Sequence, residues 1–202
     1  DVILSRIGTN TLGTASGDNF SVGGDLKLVN NTTTYRDKLS ATQTRSSFTT
    51  EATLAVMTIP ANDMVAGAVY RIMAWGVASS TGTPTYTFRT RIGGTGGTQL
   101  GSTQAITTAS GITTRPWRLY TTIVCLTTGV SGTMHGTMDY TGHLTTAGPS
   151  TTNTTPESRY DGASVATVNT TSSQDFCVTV ACSANSSSNS VICEGFIAER
   201  VA

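Results

Sequence analysis

Two histidines, four cysteines and twelve acidic residues bound the chemistry open to this chain. His135, Asp139 and His143 are spaced by four. On a helix they would share one face, but Gly136, Thr137 and Gly142 and the flanking strand pattern oppose a helix. On a strand the even offset keeps them on one side, yet four residues span roughly 13 Å. That is too far to share a metal at about 2.1 Å per ligand, so scattered surface or interface histidines are expected, and no metal. A Ser-His-Asp site needs no fixed spacing, but no G-x-S-x-G elbow is present and no helix follows a serine. Asp18, Asp25, Asp63 and Asp161 lie in turn sequences. Turn capping explains them better than a carboxylate pair across a sugar cleft. Gly93–Gly97 lacks the Gly-Lys-Ser/Thr that a phosphate loop needs and reads as a hairpin tip. No catalytic residue and no cofactor is expected; the chain reads as a non-enzyme.

Binding residues are easier to nominate. Trp75, Trp117, Tyr86 and Tyr120 could offer faces for sugar stacking. Trp75 is embedded in an apolar strand and reads as core. Trp117, between Arg115 and Arg118, reads as a sheet-end residue, so these three are the candidate ligand or partner contacts. Arg71, Arg89 and Arg91 are expected to meet on an outer face if their strands pair, either solvated or bridging subunits. Cys177 and Cys182 are five apart and would point to opposite faces of one strand. With no C-x2-C pair for zinc, Cys125, Cys177, Cys182 and Cys193 read as free thiols acting as small hydrophobes. Asn-x-Ser/Thr matches are expected by chance in so Ser/Thr-rich a chain.

The elements that carry these residues are strands. Of 202 residues only 12% are charged, about half the usual share, and the formal net charge is +0. Without Lys/Arg clusters the chain lacks the footprint of a nucleic-acid partner. No apolar run approaches the ~18 residues of a membrane span, and no signal-peptide pattern is retained. A 37% hydrophobic share argues against disorder. Thr favours strands and Gly serves turns, which points to an all-β chain.

Residues 1–50 are rich in turn formers, with short strands predicted at Val2–Ile7, Phe20–Val22 and Leu26–Val29. They read as an extended N-terminal arm that supplies edge strands or lies on a neighbour. From residue 51 to 202 the pattern is regular. Strands are predicted at Ala52–Ile59, Val69–Val77, Thr85–Ile92, Gln99–Ile106, Trp117–Thr127, Thr133–Tyr140, Ala163–Val168, Asp175–Ser183 and Val191–Val201. Thr85–Ile92 alternates cleanly, with Tyr86, Phe88 and Ile92 on one face and Thr85, Thr87, Arg89 and Arg91 on the other. Thr145–Asp161 reads as a loop. The count and spacing predict an antiparallel β-sandwich, jelly-roll-like.

The run Ala52–Ile59 with Pro60-Ala61-Asn62, then Val69-Tyr70-Arg71-Ile72, then Ser80 through Gly94, resembles a jelly-roll module of tailed-bacteriophage virion proteins. Arg115-Pro116-Trp117 and the closing Glu194 to Arg200 extend the likeness over residues 50–202. The resemblance implies a virion structural protein: a capsid decoration (cement) or head-fibre protein, homotrimeric, with the major capsid protein or other virion proteins as partners. It brings no active site. A tail-fibre or spike domain binding host-surface glycans through Trp117 is the alternative. A non-viral carbohydrate-binding module is another, and it predicts two oxidised cysteine pairs and calcium near Asp18, Asp25 or Asp63.

Overall fold

The computed structural model describes residues 38–39, 41–145 and 165–201 in full. It also gives the backbone of the short strands β1 (Ser5–Gly8), β2 (Thr11–Gly13), β3 (Lys27–Leu28), β4 (Thr32–Thr33), β5 (Arg36–Lys38) and β14 (Glu157–Gly162). The other strands are β6 (Gln43–Ser46), β7 (Ala52–Ile59), β8 (Val69–Ser79), β9 (Thr85–Ile92), β10 (Thr98–Ser102) and β11 (Ile106–Thr107). They continue through β12 (Arg115–Thr127), β13 (Gly132–Gly142), β15 (Ala166–Val168), β16 (Gln174–Cys182) and β17 (Ser190–Arg200). No helix occurs among the described residues.

Two antiparallel sheets face each other. The smaller runs β10-β9-β16-β7, with β11 also on β9. The larger runs β14-β13-β12-β8-β17-β5, with β15 beside β13 and β6 beside β17. Along the chain β6 lies in the large sheet, β7 in the small, β8 in the large, β9 and β10 in the small, and β12 in the large; β16 and β17 then take one sheet each. Antiparallel partners nest: β6 with β17, β7 with β16, β8 with β12, β9 with β10. One long hairpin rolled upon itself gives this nesting, which defines a jelly roll. The strands β13, β14 and β15 widen the large sheet beyond β12.

The period of two decides which side chains meet between the sheets. In β9 Tyr86, Phe88, Thr90 and Ile92 are buried, as the alternation predicts. They face Trp117, Leu119 and Ile123 of β12 and Tyr70, Ile72 and Ala74 of β8 in one core. Each fully buried Leu, Ile or Phe contributes about 1.5–3 kcal/mol. One polar link crosses this core: Thr90 Oγ1 of the small sheet lies 2.8 Å from Thr121 Oγ1 of the large.

The cysteines are four free, buried thiols. Cys182 lies in the core in register with Phe176, Val178 and Val180, whereas Cys177 faces the other way. Burial pushes the thiols of Cys125 and Cys177 up, and that of Cys193 to about 11. The oxidised pairs required by the non-viral carbohydrate-module reading are not formed.

Three boundaries differ from the sequence expectation. Gln99–Ile106 is broken into β10 and β11, both on β9. The Thr145–Asp161 loop contains the start of β14, which pairs with β13 through its backbone although its side chains have little strand preference. Gln43–Ser46, within the arm, pairs with β17 as an edge strand, and Arg36–Lys38 extends that edge. Arg45 Nε donates to Thr53 O at 2.8 Å, which fastens the chain where it crosses from the large sheet to the small. The predicted Val2–Ile7 and Leu26–Val29 overlap β1 and β3 over half their length; their other residues and Phe20–Val22, with Asp18 and Asp25, lie outside the described residues.

Candidate functional site

The outward positions of each sheet decide what the protein presents. On the small sheet Arg89 and Arg91 of β9 converge on one carboxylate, Glu51, from just before β7. Arg91 binds it from two nitrogens, Nε to Oε1 at 2.6 Å and Nη2 to Oε2 at 2.9 Å. Arg89 Nη1 reaches Oε2 at 3.0 Å. The Thr179 hydroxyl donates to Oε1, and Arg91 Nη1 also donates to Gly97 O at 2.9 Å. Burial alone would raise the Glu51 carboxyl. Hydrogen bonds from Arg91 and Thr179 and the two guanidinium charges outweigh it and hold the group below its ordinary value.

This cluster is a structural clasp joining β7, β9 and β16. Since the folded state favours the carboxylate, its contribution is complete above the ordinary Glu pKa of about 4.3 and fades as pH falls through the lowered folded value. Glu51→Gln is expected to cost about 1–2 kcal/mol at neutral pH. The gap between wild type and variant in thermal melts should narrow as pH falls below about 4.3 and close beneath the lowered folded value. An equal gap at acid and neutral pH would contradict the clasp.

Arg71 does not join this set. It lies on β8 in the other sheet, where it pairs with Glu199 at 3.6 Å. The expectation that Arg71, Arg89 and Arg91 meet is corrected by topology, since β8 and β9 never pair.

The two tryptophans exchange their expected roles. Trp117 is only 2% exposed and points inward, its ring centroid 4.9 Å from that of Phe88, which in turn stacks on Tyr140 at 5.2 Å. It cannot present a sugar-stacking face. Its Nε1 is buried without a hydrogen-bond partner, as is Nε of half-buried Arg115. Trp75 is the exposed one, at 36%. Its partner in register is Gly195, next to a bulge in β17 between Cys193 and Gly195. A Cβ at Gly195 would sit 2.1 Å from the indole ring, so only glycine lets Trp75 lie down on its neighbour strand.

Of the three nominated contact residues, then, Arg118 alone is fully on the surface. Its cross-strand partners are Trp75 on β8 and Thr141 on β13. With Tyr120, Asp139, Thr141 and Met73 it lines a depression of about 340 Å³ on the outer face of the large sheet. Strand parity was the missed signal: Leu119, Ile123 and Cys125 share the phase of Trp117, whereas Arg118 and Tyr120 share the opposite one.

That outer face has two halves. Over β8 and β17 it is mainly apolar, with Met73, Trp75, Val77, Ile192 and Ile197 half-buried or exposed beside the Arg71–Glu199 pair. Over β12 and β13 it is mainly polar, with Arg118, Thr122, His135, Thr137, Asp139 and Thr141, and with Val124 and exposed Leu126 toward the end of β12. His135 and Asp139 lie two outward positions apart along β13, and His143 follows its end. Among the described residues no three His, Cys, Asp or Glu side chains gather around a point a metal could occupy.

No family model and no curated protein matches the chain. Among solved structures, the VP2 subviral particle of infectious bursal disease virus aligns over 100% of this chain and 38% of its own, at 12% identity and a TM-score of 0.32. The T=1 particle derived from the same virus aligns at 13% identity and 0.33, over 36% of its own length. The chain thus spans well under half of these proteins. At such scores the jelly-roll assignment rests on the strand connectivity alone.

Proposed function

We propose that the chain is a non-enzymatic structural protein of a virion, acting at the capsid surface as a decoration (cement) or head-fibre protein. The observation that carries the reading is the apolar half-face over β8 and β17. Met73, Trp75, Val77, Ile192 and Ile197 are held outward by strand parity on a sheet whose core is already filled from its other side. Trp75 is exposed and the other four are half-buried, and an apolar strip of this kind marks a contact with another protein. Beside it Thr122, Thr137 and Thr141 stand outward where Lys or Glu is usual, and the Arg71–Glu199 charges on the strip itself are already paired. The resemblance of residues 50–202 to tailed-phage virion modules points the same way. Weak contacts of this size gain strength when repeated over a lattice.

Self-association as a trimer belongs to the same reading. The small sheet ends at β10 and β7 and the large at β14 and β5, and a sheet edge invites pairing with another chain. The experiment is to purify particles, identify the chain by mass spectrometry and locate it by cryo-electron microscopy. The jelly roll is expected on the shell with its β8–β17 face against a neighbour. A particle lacking the chain overturns the reading, and light scattering at the single-chain mass overturns the trimer. The alternative of a tail-fibre glycan binder loses its nominated platform, because Trp117 is inside the core.

A further inference from the structure

We propose that the depression between β8, β12 and β13 binds a neutral hexose unit of a glycan. The inference goes beyond a structural role and does not depend on it. The site combines the parts that such a ligand needs. Tyr120 lies directly opposite Met73 on one side and Asp139 on the other, so an aromatic ring, a thioether and a carboxylate line the space together. Arg118 lies opposite Thr141, one step along the same strands, and is diagonal to Asp139. Diagonal neighbours on adjacent strands are about 7–8 Å apart. Arg118 and Asp139 accordingly frame the space and do not close on each other: no ion pair joins them among the described residues.

That separation matters because five other arginines among the described residues are engaged. Arg89 and Arg91 bind Glu51, Arg71 binds Glu199, and Arg45 and Arg200 bind backbone carbonyls. Arg118, Tyr120 and Asp139 keep their hydrogen-bonding capacity unspent toward the described residues. Guanidinium only donates and carboxylate only accepts, whereas a sugar hydroxyl does both. A pyranose with adjacent hydroxyls can accept from Arg118, donate to Asp139 and lay its C–H face on Tyr120. One positive and one negative group cancel, so the ligand they suit is neutral. The volume, about 340 Å³, lies at the small end of the roughly 300–1,000 Å³ usual for ligand sites.

The test is NMR titration of the full chain with the methyl glycosides of mannose, glucose, galactose and N-acetylglucosamine, followed by an array of neutral and acidic glycans. At least one neutral sugar should shift the resonances of Tyr120 and Thr141. Arg118→Ala and Asp139→Ala should each weaken that binding at least tenfold, with unchanged melting temperature since both side chains are exposed. Arg71→Ala, on the same face but outside the depression, should bind as wild type. No shift with any neutral sugar overturns the proposal, as does binding indifferent to Arg118 and Asp139. Preference for acidic glycans that strengthens in Asp139→Ala overturns the assignment to a neutral ligand. Loss of self-association in Arg118→Ala without sugar binding would make the depression a subunit contact instead.

Discussion

Gly76→Ala should lower the melting temperature by about 8–16 °C, from a loss of about 4 kcal/mol. A Cβ at this position would lie 1.9 Å from Ile192 O, 2.9 Å from Ile192 C and 3.0 Å from Glu194 N. All three atoms are backbone, and they belong to the strand that carries the bulge between Cys193 and Gly195. A flexible side chain could swing aside, but β17 cannot, because it is hydrogen-bonded to β8 on one side and to β5 and β6 on the other. The methyl group must therefore push apart the middle of the large sheet. Gly96→Ala is the control. Nothing lies within 4 Å of the Cβ it would add, and it should melt within about 0.5 kcal/mol of wild type. Equal melting of Gly76→Ala and Gly96→Ala would contradict the close approach.

Thr90→Val should cost about 1–3 kcal/mol, because it strands the Thr121 hydroxyl where bulk solvent cannot reach it. Both residues are completely buried, and their oxygens are 2.8 Å apart. Thr121→Val should cost less. The Thr90 hydroxyl would keep the Met138 sulfur at 3.7 Å as a weak acceptor. The double variant removes both polar groups and retains their shape, so it should be close to wild type. Denaturant unfolding of the four proteins closes the cycle. Costs that simply add would show that the two hydroxyls are independent.

The sequence was most legible where one strand has one wet face. Tyr86, Phe88 and Ile92 against Thr85, Thr87, Arg89 and Arg91 gave both the strand and its inner side. Pro60 ended β7 after Ile59, as its missing donor requires. Legibility failed where both faces of a strand carry apolar residues. In β8 Val69, Met73, Trp75 and Val77 alternate with Tyr70, Ile72, Ala74 and Ala78, and only Arg71 and Ser79, in the phase of Trp75, mark which set is outside. Reading Trp75 as core follows from the apolar run and overlooks its shared phase with Arg71. Around Trp117 the charged neighbours mislead, whereas the phase it shares with Leu119 and Ile123 points inward.

Long-range pairings were illegible for a different reason. Glu51 reaches Arg89 and Arg91 only because β7 and β9 both flank β16, and Tyr120 meets Asp139 only through the register of β12 with β13. Nothing local in the chain announces either. The jelly roll itself was read from strand count, whereas its nesting required that Gln43–Ser46 leave the arm and pair with β17.

That nesting also orders events in time. The innermost pair, β9 and β10, needs only the short Gly93–Gly97 turn to close, whereas the outermost joins residues as remote as Ser46 and Ser190. Loop-closure entropy is therefore smallest at the tip and is reduced for each outer pair once the pair inside it has formed. Folding should proceed as a zipper from that tip, at the milliseconds-to-seconds pace of non-local β topologies. A nascent chain would hold β6 and β7 without partners until β16 and β17 have been made.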